Sequence, residues 1–214
     1  MKKPTRADLL AARGRTVPDV VGPELRILFC GINPSLYTAA TGHHFARPGN
    51  RFWKALHGSG FTPRLLAPEE EGLLPGLGLG ITNVVRRATA TAAEIGPEEY
   101  QEGRLLLEEK VARWSPEWLA VAGVGAYRSA FGRPRATIGR QIETVGSTRI
   151  WVLPNPSGLN ANYPLDALIS LFAELRAAAA ADTARHRASR QEMPAAIPGR
   201  PPPDASTNEE GGPS

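Results

Sequence analysis

Four short apolar runs alternate with segments of helical periodicity, and this alternation constrains the fold more than any other feature of the chain. The runs are residues 25–30, 80–85, 118–124 and 149–154. Short apolar runs bounded by glycine or proline are typical of buried strands. Strands that alternate with helices form a mostly parallel sheet covered by helices on both faces. We therefore expect an α/β fold whose central sheet has four strands.

The segments between the runs carry helix signals. Pro97 opens a long amphipathic stretch, residues 97–114, with acidic residues in its first turn, as a helix N-terminus prefers. Shorter helices are predicted over residues 6–14, 50–58 and 126–131. The final core helix is predicted from an apolar stripe at helical spacing, formed by Leu165, Leu168, Ile169, Phe172 and Leu175.

Composition suggests one domain with extensions at both ends. The chain has 214 residues and is 42% hydrophobic, enough for one sizeable core. We expect residues 1–22 to form a loosely packed N-terminal extension and residues 23–180 to form the domain. Residues 183–214 contain no aromatic side chain and include a run of three prolines. Such a segment buries too little apolar surface to offset its ordering entropy, so we expect disorder there.

Charge and cysteine content narrow the class of protein. The net charge of +4 and the isoelectric point near 9.6 are compatible with a polyanionic partner without establishing one. Cys30, the one cysteine, lies in an apolar run and is expected to be a core residue in a reducing compartment. No signal peptide or membrane-spanning run is found, so we expect a soluble, cytoplasmic protein with no membrane association.

Two loops of similar sequence follow the first and fourth runs. Residues 31–35 read Gly-Ile-Asn-Pro-Ser and residues 155–159 read Asn-Pro-Ser-Gly-Leu. Ligands of α/β sheets bind beyond the carboxyl ends of parallel strands, so we expect these loops to meet beyond neighbouring strands in one active site. Asn-Pro alone favours a simple strand-ending turn. The long aperiodic stretch that follows, residues 38–50, favours function, because functional residues concentrate in such loops.

Several familiar kinds of site are excluded by spacing. His43 and His44 are adjacent without a Cys, Asp or Glu nearby to complete a ligand set, so we expect no metal. His44 is better interpreted as a neutral histidine that lines a pocket. Neither Ser35 nor Ser157 lies in a Gly-x-Ser-x-Gly elbow. No dinucleotide or phosphate-binding glycine pattern is present, so no cofactor is expected.

Three further features have two interpretations each. Phe45 is either a core plug or a stacking platform. Leu159 either packs into the core or is an exposed apolar wedge of the kind that enters the base stack of DNA. The acidic run at residues 69–71 is interpreted as a solvated helix face rather than an acid/base pair.

Four blocks of sequence together resemble a known family. They are residues 29–34, 41–53, 80–83 and 151–159, and they include Thr-Gly-His-His-Phe-Ala-Arg-Pro-Gly-Asn-Arg-Phe-Trp. In this order they resemble the mismatch-specific uracil-DNA glycosylases, in the branch shared with thymine-DNA glycosylases. The resemblance covers roughly residues 22–177, which is essentially the whole predicted core.

This resemblance implies a three-layer α/β/α fold around a four-stranded parallel sheet. It implies a monomeric, metal-free enzyme that binds double-stranded DNA containing mispaired uracil and hydrolyses the N-glycosidic bond, leaving an abasic site. Such an enzyme extracts the base from the stack, and a mismatched base costs less to extract. Uracil opposite guanine is the implied substrate, with ethenocytosine and thymine as further candidates.

The resemblance also implies roles for individual residues. Asn33 corresponds to the residue that holds the attacking water. The backbone amides of Ile32 and Phe45 would bind the flipped base, the Phe45 ring would stack on it, and Thr38 and Asn83 would tune base choice. Gly158 and Asn160 would approach the unpaired guanine while Leu159 fills the vacated space. Asn155 looks like Asn33 but is expected to be structural.

Two rival functions remain open at this point. A non-catalytic relative would recognise the mispair and merely hold it, but such a binder has no need of Asn33. A hydrolase of free nucleosides would leave the Leu159 wedge without a role.

Overall fold

The computed structural model describes residues 3–191 and contains one sheet of five strands. The strands are β1 (Ile27–Gly31), β2 (Leu79–Asn83), β3 (Trp118–Ala122), β4 (Gly139–Val145) and β5 (Thr148–Leu153). Their order across the sheet is β2-β1-β3-β5-β4, and only β4 runs antiparallel to its neighbour. The predicted α/β class and the mostly parallel sheet are confirmed.

The predicted number of four strands is wrong, because β4 adds a fifth. Its residues alternate between half-buried and exposed, and they include no continuous apolar run. Ile142, at its centre, is 99% exposed. A strand at the edge of a sheet that pairs on one side only does not need the apolar run of a buried strand. The continuous apolar run that identified the other four strands is absent from β4, so the sequence did not predict this strand.

Helices cover both faces of the sheet. They are α1 (Arg6–Ala11), α2 (Leu36–Thr41), α3 (Phe52–Gly58), α4 (Pro97–Trp114), α5 (Val124–Phe131) and α6 (Leu165–Gln191), and short 3-10 helices span Pro68–Leu73, Pro75–Leu77 and Ala92–Glu94. The last helix continues into the segment after residue 183 for which the sequence predicts disorder. The rest of that segment, residues 192–214, lies outside the described residues.

The side chains of β1 show how the sheet divides the core. Phe29 points to one face, where it packs with Phe52 of α3 and Phe172 of α6. Its neighbour Leu28 points to the other face, in the cluster that contains Leu107 of α4 and residues of α5. Each large apolar side chain buried in this way contributes about 1.5–3 kcal/mol. The result is three layers, helix–sheet–helix.

The N-terminal segment is attached to the domain more closely than a loose extension. Ala12 is fully buried, in a small cluster with Ala39 and Ala88. Val20 and Ile81 exchange two backbone hydrogen bonds of 2.9 and 2.8 Å, which places the segment along the free edge of β2. The boundary of the domain at residue 23 remains a prediction.

The topology fixes where a ligand would bind. The carboxyl ends of β1, β2, β3 and β5 lie at one edge of the sheet, and the chain reverses direction across the sheet between β1 and β3. This reversal is the usual place for a binding crevice. The two Asn-Pro-Ser loops do not follow adjacent strands, since β3 lies between β1 and β5. They meet over the end of β3.

Candidate active site

A cavity of about 330 Å³ opens at this carboxyl edge, between the loops that follow β1, β2 and β5. The predicted site residues that line it are Ile32, Asn33, Thr38, His44, Phe45, Asn83, Leu159 and Asn160. Within residues 3–191, its only titratable lining side chains are His44 and Arg47. The cavity wall therefore offers no carboxylate to act as a general base.

Asn33 is held so that only one of its polar atoms remains available. Its Nδ2 donates to the backbone oxygen of Arg87 at 3.0 Å and to Thr89 Oγ1 at 2.8 Å. The Thr89 hydroxyl gives its own hydrogen to the oxygen of Thr91 at 2.7 Å, so it can only accept from Asn33. Because Arg87 O and Thr89 Oγ1 both accept, the amide nitrogen of Asn33, and not its oxygen, must face them. Among the described residues, Asn33 Oδ1 has no hydrogen-bond partner.

Thr89 is a site residue that the sequence motifs did not identify. It lies in the loop after β2, is 1% exposed, and its backbone N–H donates to Pro34 O at 3.2 Å. The loop is held from behind by Arg87, whose guanidinium donates to Glu99 at 2.5 and 2.7 Å. Those bonds lower the pKa of Glu99 to about 2. The only sequence signal for Thr89 is its place beyond the end of a strand.

Phe45 presents an aromatic face to the cavity. Its ring stacks on Phe52 with the centroids 4.0 Å apart and the planes 16° from parallel, so Phe52 covers one face of the ring. The part of the half-buried ring that Phe52 does not cover lines the cavity. Its φ of 53° is in the left-handed region. Such backbone costs about 1–2 kcal/mol for a residue other than glycine and is concentrated at functional sites.

His44 and Asn83 form a buried polar pair at the inner wall. The imidazole is 1% exposed, with Nε2 at 2.9 Å from Pro18 O and Nδ1 at 3.4 Å from Asn83 Nδ2. Glu71 anchors the segment, because its carboxylate accepts from the His44 backbone N–H at 2.8 Å and lies 3.0 Å from His43 Nδ1. The acidic run is thus not only a solvated face.

Thr38 and Ser35 hold the start of α2. Ser35 Oγ accepts from the backbone N–H of Thr38 at 3.1 Å and lies 3.2 Å from Thr38 Oγ1. This is an ordinary N-cap, which explains the serine without any nucleophilic role. Thr38 is 4% exposed, so its side chain can limit the size of a bound ring.

The second loop is a tight turn that exposes one apolar side chain. Asn155 Oδ1 accepts from the Ser157 backbone N–H at 3.0 Å, and Asn160 Nδ2 donates to Asn155 O at 3.0 Å. These bonds make Asn155 part of the turn, and a structural role for it stays a prediction. They also commit the amide nitrogen of Asn160 to the loop. Leu159, at the tip, is 76% exposed and does not pack into the core.

Arg51 ties the second loop to the first, a role that the motifs did not identify. Its guanidinium donates to the backbone oxygens of Ser157 at 2.5 Å, Asn160 at 2.8 Å, Pro156 at 3.4 Å and Tyr163. Its backbone N–H also donates to Pro156 O at 3.0 Å. The planar fork of arginine can satisfy several carbonyls that no single aliphatic ammonium would reach.

Gly158 has a different position from the other predicted residues. It does not line the cavity, because its backbone packs directly on Gly49 at the end of the first loop. A β-carbon at this position would lie 2.6 Å from Gly49 O. Glycine is therefore required at this position because the two backbones leave no space for a side chain.

Within residues 3–191, no group of three His, Cys, Asp or Glu side chains is arranged to hold a metal ion. None of the helices in that range is long and apolar enough to cross a membrane.

Comparison with known proteins identifies a family and a solved structure of similar fold. The model of the Uracil DNA glycosylase superfamily matches residues 18–177, which span the sheet and the cavity. The solution NMR structure of a candidate uracil DNA glycosylase from Methanosarcina acetivorans superposes with a TM-score of 0.52. That match has 20% sequence identity and covers 76% of this chain and 98% of the other, so it concerns the fold.

Proposed function

Because the chain belongs to the uracil DNA glycosylase superfamily, we propose that it removes uracil mispaired with guanine from duplex DNA. It acts as a monomer, flips the base into the cavity beside Phe45 and hydrolyses the N-glycosidic bond, which leaves an abasic site. Thymine and ethenocytosine are further substrates. The observation that carries the proposal is the fixed amide of Asn33 in a cavity wall without carboxylates.

The chemistry assigned to Asn33 is the positioning of water. Its unpartnered Oδ1 accepts a hydrogen bond from a water molecule and orients an oxygen lone pair toward the sugar. An amide has almost no basicity, so it contributes orientation rather than proton removal. The reaction then depends on stabilising the oxocarbenium-like sugar and on the departure of the base as an anion. Slow turnover is the expected consequence.

Base binding and duplex opening are assigned to separate loops. Phe45 stacks on the base, its backbone N–H and that of Ile32 bind a base oxygen, and Thr38 limits ring size. On the other side of the cavity, exposed Leu159 enters the stack while Gly158 and Asn160 approach the guanine. The observation that supports this division is the exposure of Leu159 on a loop braced by Arg51.

Arg47 is assigned a contact to a DNA phosphate. It lines the mouth of the cavity, is exposed, and has no ion-pair partner among the described residues. A guanidinium without a carboxylate partner is available to a backbone phosphate, and each such contact adds to the salt dependence of binding.

The experiment that tests this function is a single-turnover assay on duplex oligonucleotides with uracil opposite guanine, followed by alkali cleavage. Wild-type protein is expected to give a strand break at the uracil. Asn33→Ala is expected to lower the rate by about 100-fold or more, with binding retained. Asn162→Ala, at an exposed asparagine that does not line the cavity, is the control and should keep the wild-type rate.

The same assay decides between the enzyme and a mismatch-binding protein. A wild-type protein that binds the mispaired duplex but gives no strand break would be a binder, and the proposed function would be wrong. If the Asn33→Ala variant were as fast as wild type, the proposed glycosylase activity would stand, but the water-positioning role of Asn33 would be wrong.

A further inference from the structure

We propose that Glu71 and Trp53 are positioning residues that clamp the backbone of His44 and thereby hold Phe45 in the conformation that receives the flipped base. Neither Glu71 nor Trp53 lines the cavity, so both act through the residues that they hold. The inference rests on the proposed function, because it concerns how the base-stacking residue of that same site is kept in place.

The first contact holds the peptide group that precedes His44. The ionised Glu71 carboxylate accepts a hydrogen bond from the His44 backbone N–H at 2.8 Å. Its other oxygen lies 3.0 Å from His43 Nδ1, and since a carboxylate can only accept, that imidazole nitrogen carries the hydrogen. The Glu71 side chain is only 12% exposed. Hydrogen bonds to an ionised acceptor are among the stronger ones in proteins, so this contact is a firm anchor.

The second contact holds the peptide group that follows His44. Trp53 Nε1 donates to the backbone oxygen of His44 at 3.2 Å. A peptide group is planar and trans, so fixing His44 O also fixes the direction of the Phe45 N–H, on the opposite side of the same plane. Among the described residues, that N–H has no hydrogen-bond acceptor. It is therefore available to a ligand.

The clamp explains how Phe45 keeps an unfavourable backbone. Its φ of 53° lies in the left-handed region, which costs free energy for a residue with a β-carbon. Such a conformation persists only where the surroundings over-determine it. The ring is fixed by stacking on Phe52 and by its approach to Gly31, where a β-carbon would lie 3.3 Å from Phe45 Cζ. The left-handed φ is the turn by which the chain passes from the clamped peptide to the stacked ring.

Glu71 can act as an anchor because its own segment is fixed. It lies in the 3-10 helix Pro68–Leu73, which leads into the fully buried Leu74. The preceding residue, Glu70, forms an ion pair with Arg64 at 2.6 Å. A short helix outside the sheet thus supports the loop that is proposed to bind the base.

The clamp should act on every substrate alike. An aromatic ring stacks on any base, because every base has a π face. Loss of the clamp should therefore slow the cleavage of uracil, thymine and ethenocytosine together rather than change the choice among them.

The first test measures single-turnover cleavage of uracil opposite guanine at saturating protein. Glu71→Leu removes both carboxylate contacts and is expected to lower the rate about 10- to 100-fold. Glu71→Gln keeps an oxygen that accepts from the His44 N–H, so its rate should lie within about threefold of wild type. Glu70→Leu, the matched control from the same 3-10 helix, should also stay within about threefold. Equal losses in Glu70→Leu and Glu71→Leu would overturn the proposal.

Trp53→Phe tests the second contact, because phenylalanine keeps an aromatic ring and lacks the indole N–H. Trp151→Phe is the matched control, since Trp151 is 7% exposed against 5% for Trp53. Among the described residues, Trp151 Nε1 has no hydrogen-bond partner. We expect Trp53→Phe to lower the rate about tenfold and Trp151→Phe to leave it unchanged. Equal losses in the two variants would contradict a role for the hydrogen bond to His44.

Two readouts separate positioning from general destabilisation. A duplex with a tetrahydrofuran abasic residue opposite guanine offers no base to stack, so Glu71→Leu should bind it as tightly as wild type does. In a Phe45→Ala background the Glu71→Leu change should cost much less rate than in wild type, because the ring that it positions is gone. Weaker binding of the abasic duplex or fully additive rate losses would overturn the proposal.

A further measurement does not depend on catalysis. Crystal structures of wild type and of Glu71→Leu give the φ angle of Phe45 directly. We expect a left-handed value in wild type and a value outside that region in Glu71→Leu, and an unchanged angle in the variant would overturn the proposal. If wild type does not cleave uracil opposite guanine, the proposed function fails, whereas the angle still decides whether Glu71 holds Phe45.

Discussion

Gly158 and Gly49 touch backbone to backbone, with 2.6 Å between Gly49 O and the place where a β-carbon of Gly158 would lie. The loop proposed to contact DNA therefore rests directly on the segment that ends the loop proposed to bind the base. A shift in either loop moves the other, so the geometry of the wedge and the geometry of the cavity are linked.

Gly158→Ala tests this contact. The added methyl group meets a backbone oxygen, which cannot rotate away, so the loop has to move. We expect a loss of about 1–3 kcal/mol in the free energy of unfolding, typical of overpacking, together with weaker binding to the mispaired duplex. Urea denaturation and duplex titration measure the two effects. Gly72→Ala, where a β-carbon meets nothing within 4 Å, is the control and should change neither.

Arg51→Lys tests the bracing of the second loop. Lysine keeps the charge but cannot serve the separated carbonyls of Ser157 and Asn160 together. We expect the dissociation constant for the mispaired duplex to rise about tenfold, since charged hydrogen bonds contribute about 1.5–3 kcal/mol each. Cleavage of single-stranded uracil DNA should change much less.

The double variant Arg51→Lys, Leu159→Ala makes this test specific. If Arg51 acts by presenting Leu159, the double variant should bind the duplex no more weakly than the worse single variant. Fully additive losses would contradict that coupling. Arg104→Lys, on α4 and paired with Glu108, is the control for the substitution itself.

The sequence predicted the sheet because buried parallel strands leave continuous apolar runs. It predicted the place of the site because the carboxyl ends of such strands lie at one edge. On that basis the loops that carry Asn33 and Leu159 were expected to meet, whereas the roles of Asn33, Phe45 and Leu159 were predicted from the resemblance to a family. The strand β4 (Gly139–Val145) was missed because an exposed edge strand has no apolar run to detect.

The supporting contacts of the site could not be predicted in the same way. Thr89 accepts a hydrogen bond from the side chain of Asn33, and Arg51 donates to backbone oxygens. Because every residue has a backbone oxygen, the partners of Arg51 leave no recognisable pattern in the sequence. No spacing rule connects Arg51 to Ser157, which is 106 positions away. Gly158 was assigned to the guanine, whereas its position is explained by the approach of Gly49. Such contacts depend on the folded arrangement of loops, which sequence periodicity does not describe.

Thr89→Val tests the support of Asn33, the amide that is proposed to position water. The change removes one of the two acceptors that fix Asn33 Nδ2 while the volume is kept. We expect the single-turnover rate on uracil opposite guanine to fall about 10- to 100-fold, with the duplex dissociation constant unchanged. Thr148→Val is the matched control, because Thr148 is also 1% exposed and donates to a backbone oxygen, that of Pro116. Equal rate losses in the two variants would show a general effect of destabilisation.

Glu99→Gln tests the ion pair behind the Asn33 support, through the dependence of stability on pH. Arg87 lowers the pKa of Glu99 to about 2 in the folded protein, whereas an unfolded glutamate titrates near about 4.3. A lowered carboxyl pKa gives stability that is fully present above the unfolded value and is lost as the pH falls through the folded value. The variant should therefore melt a few degrees below wild type at pH 6–7, and the difference should shrink between about pH 4.3 and pH 2. Thermal unfolding at a series of pH values measures this, with Glu108→Gln as the surface control. A difference in melting temperature that is the same at pH 7 and pH 2 would show that the carboxylate charge of Glu99 is not what stabilises the loop.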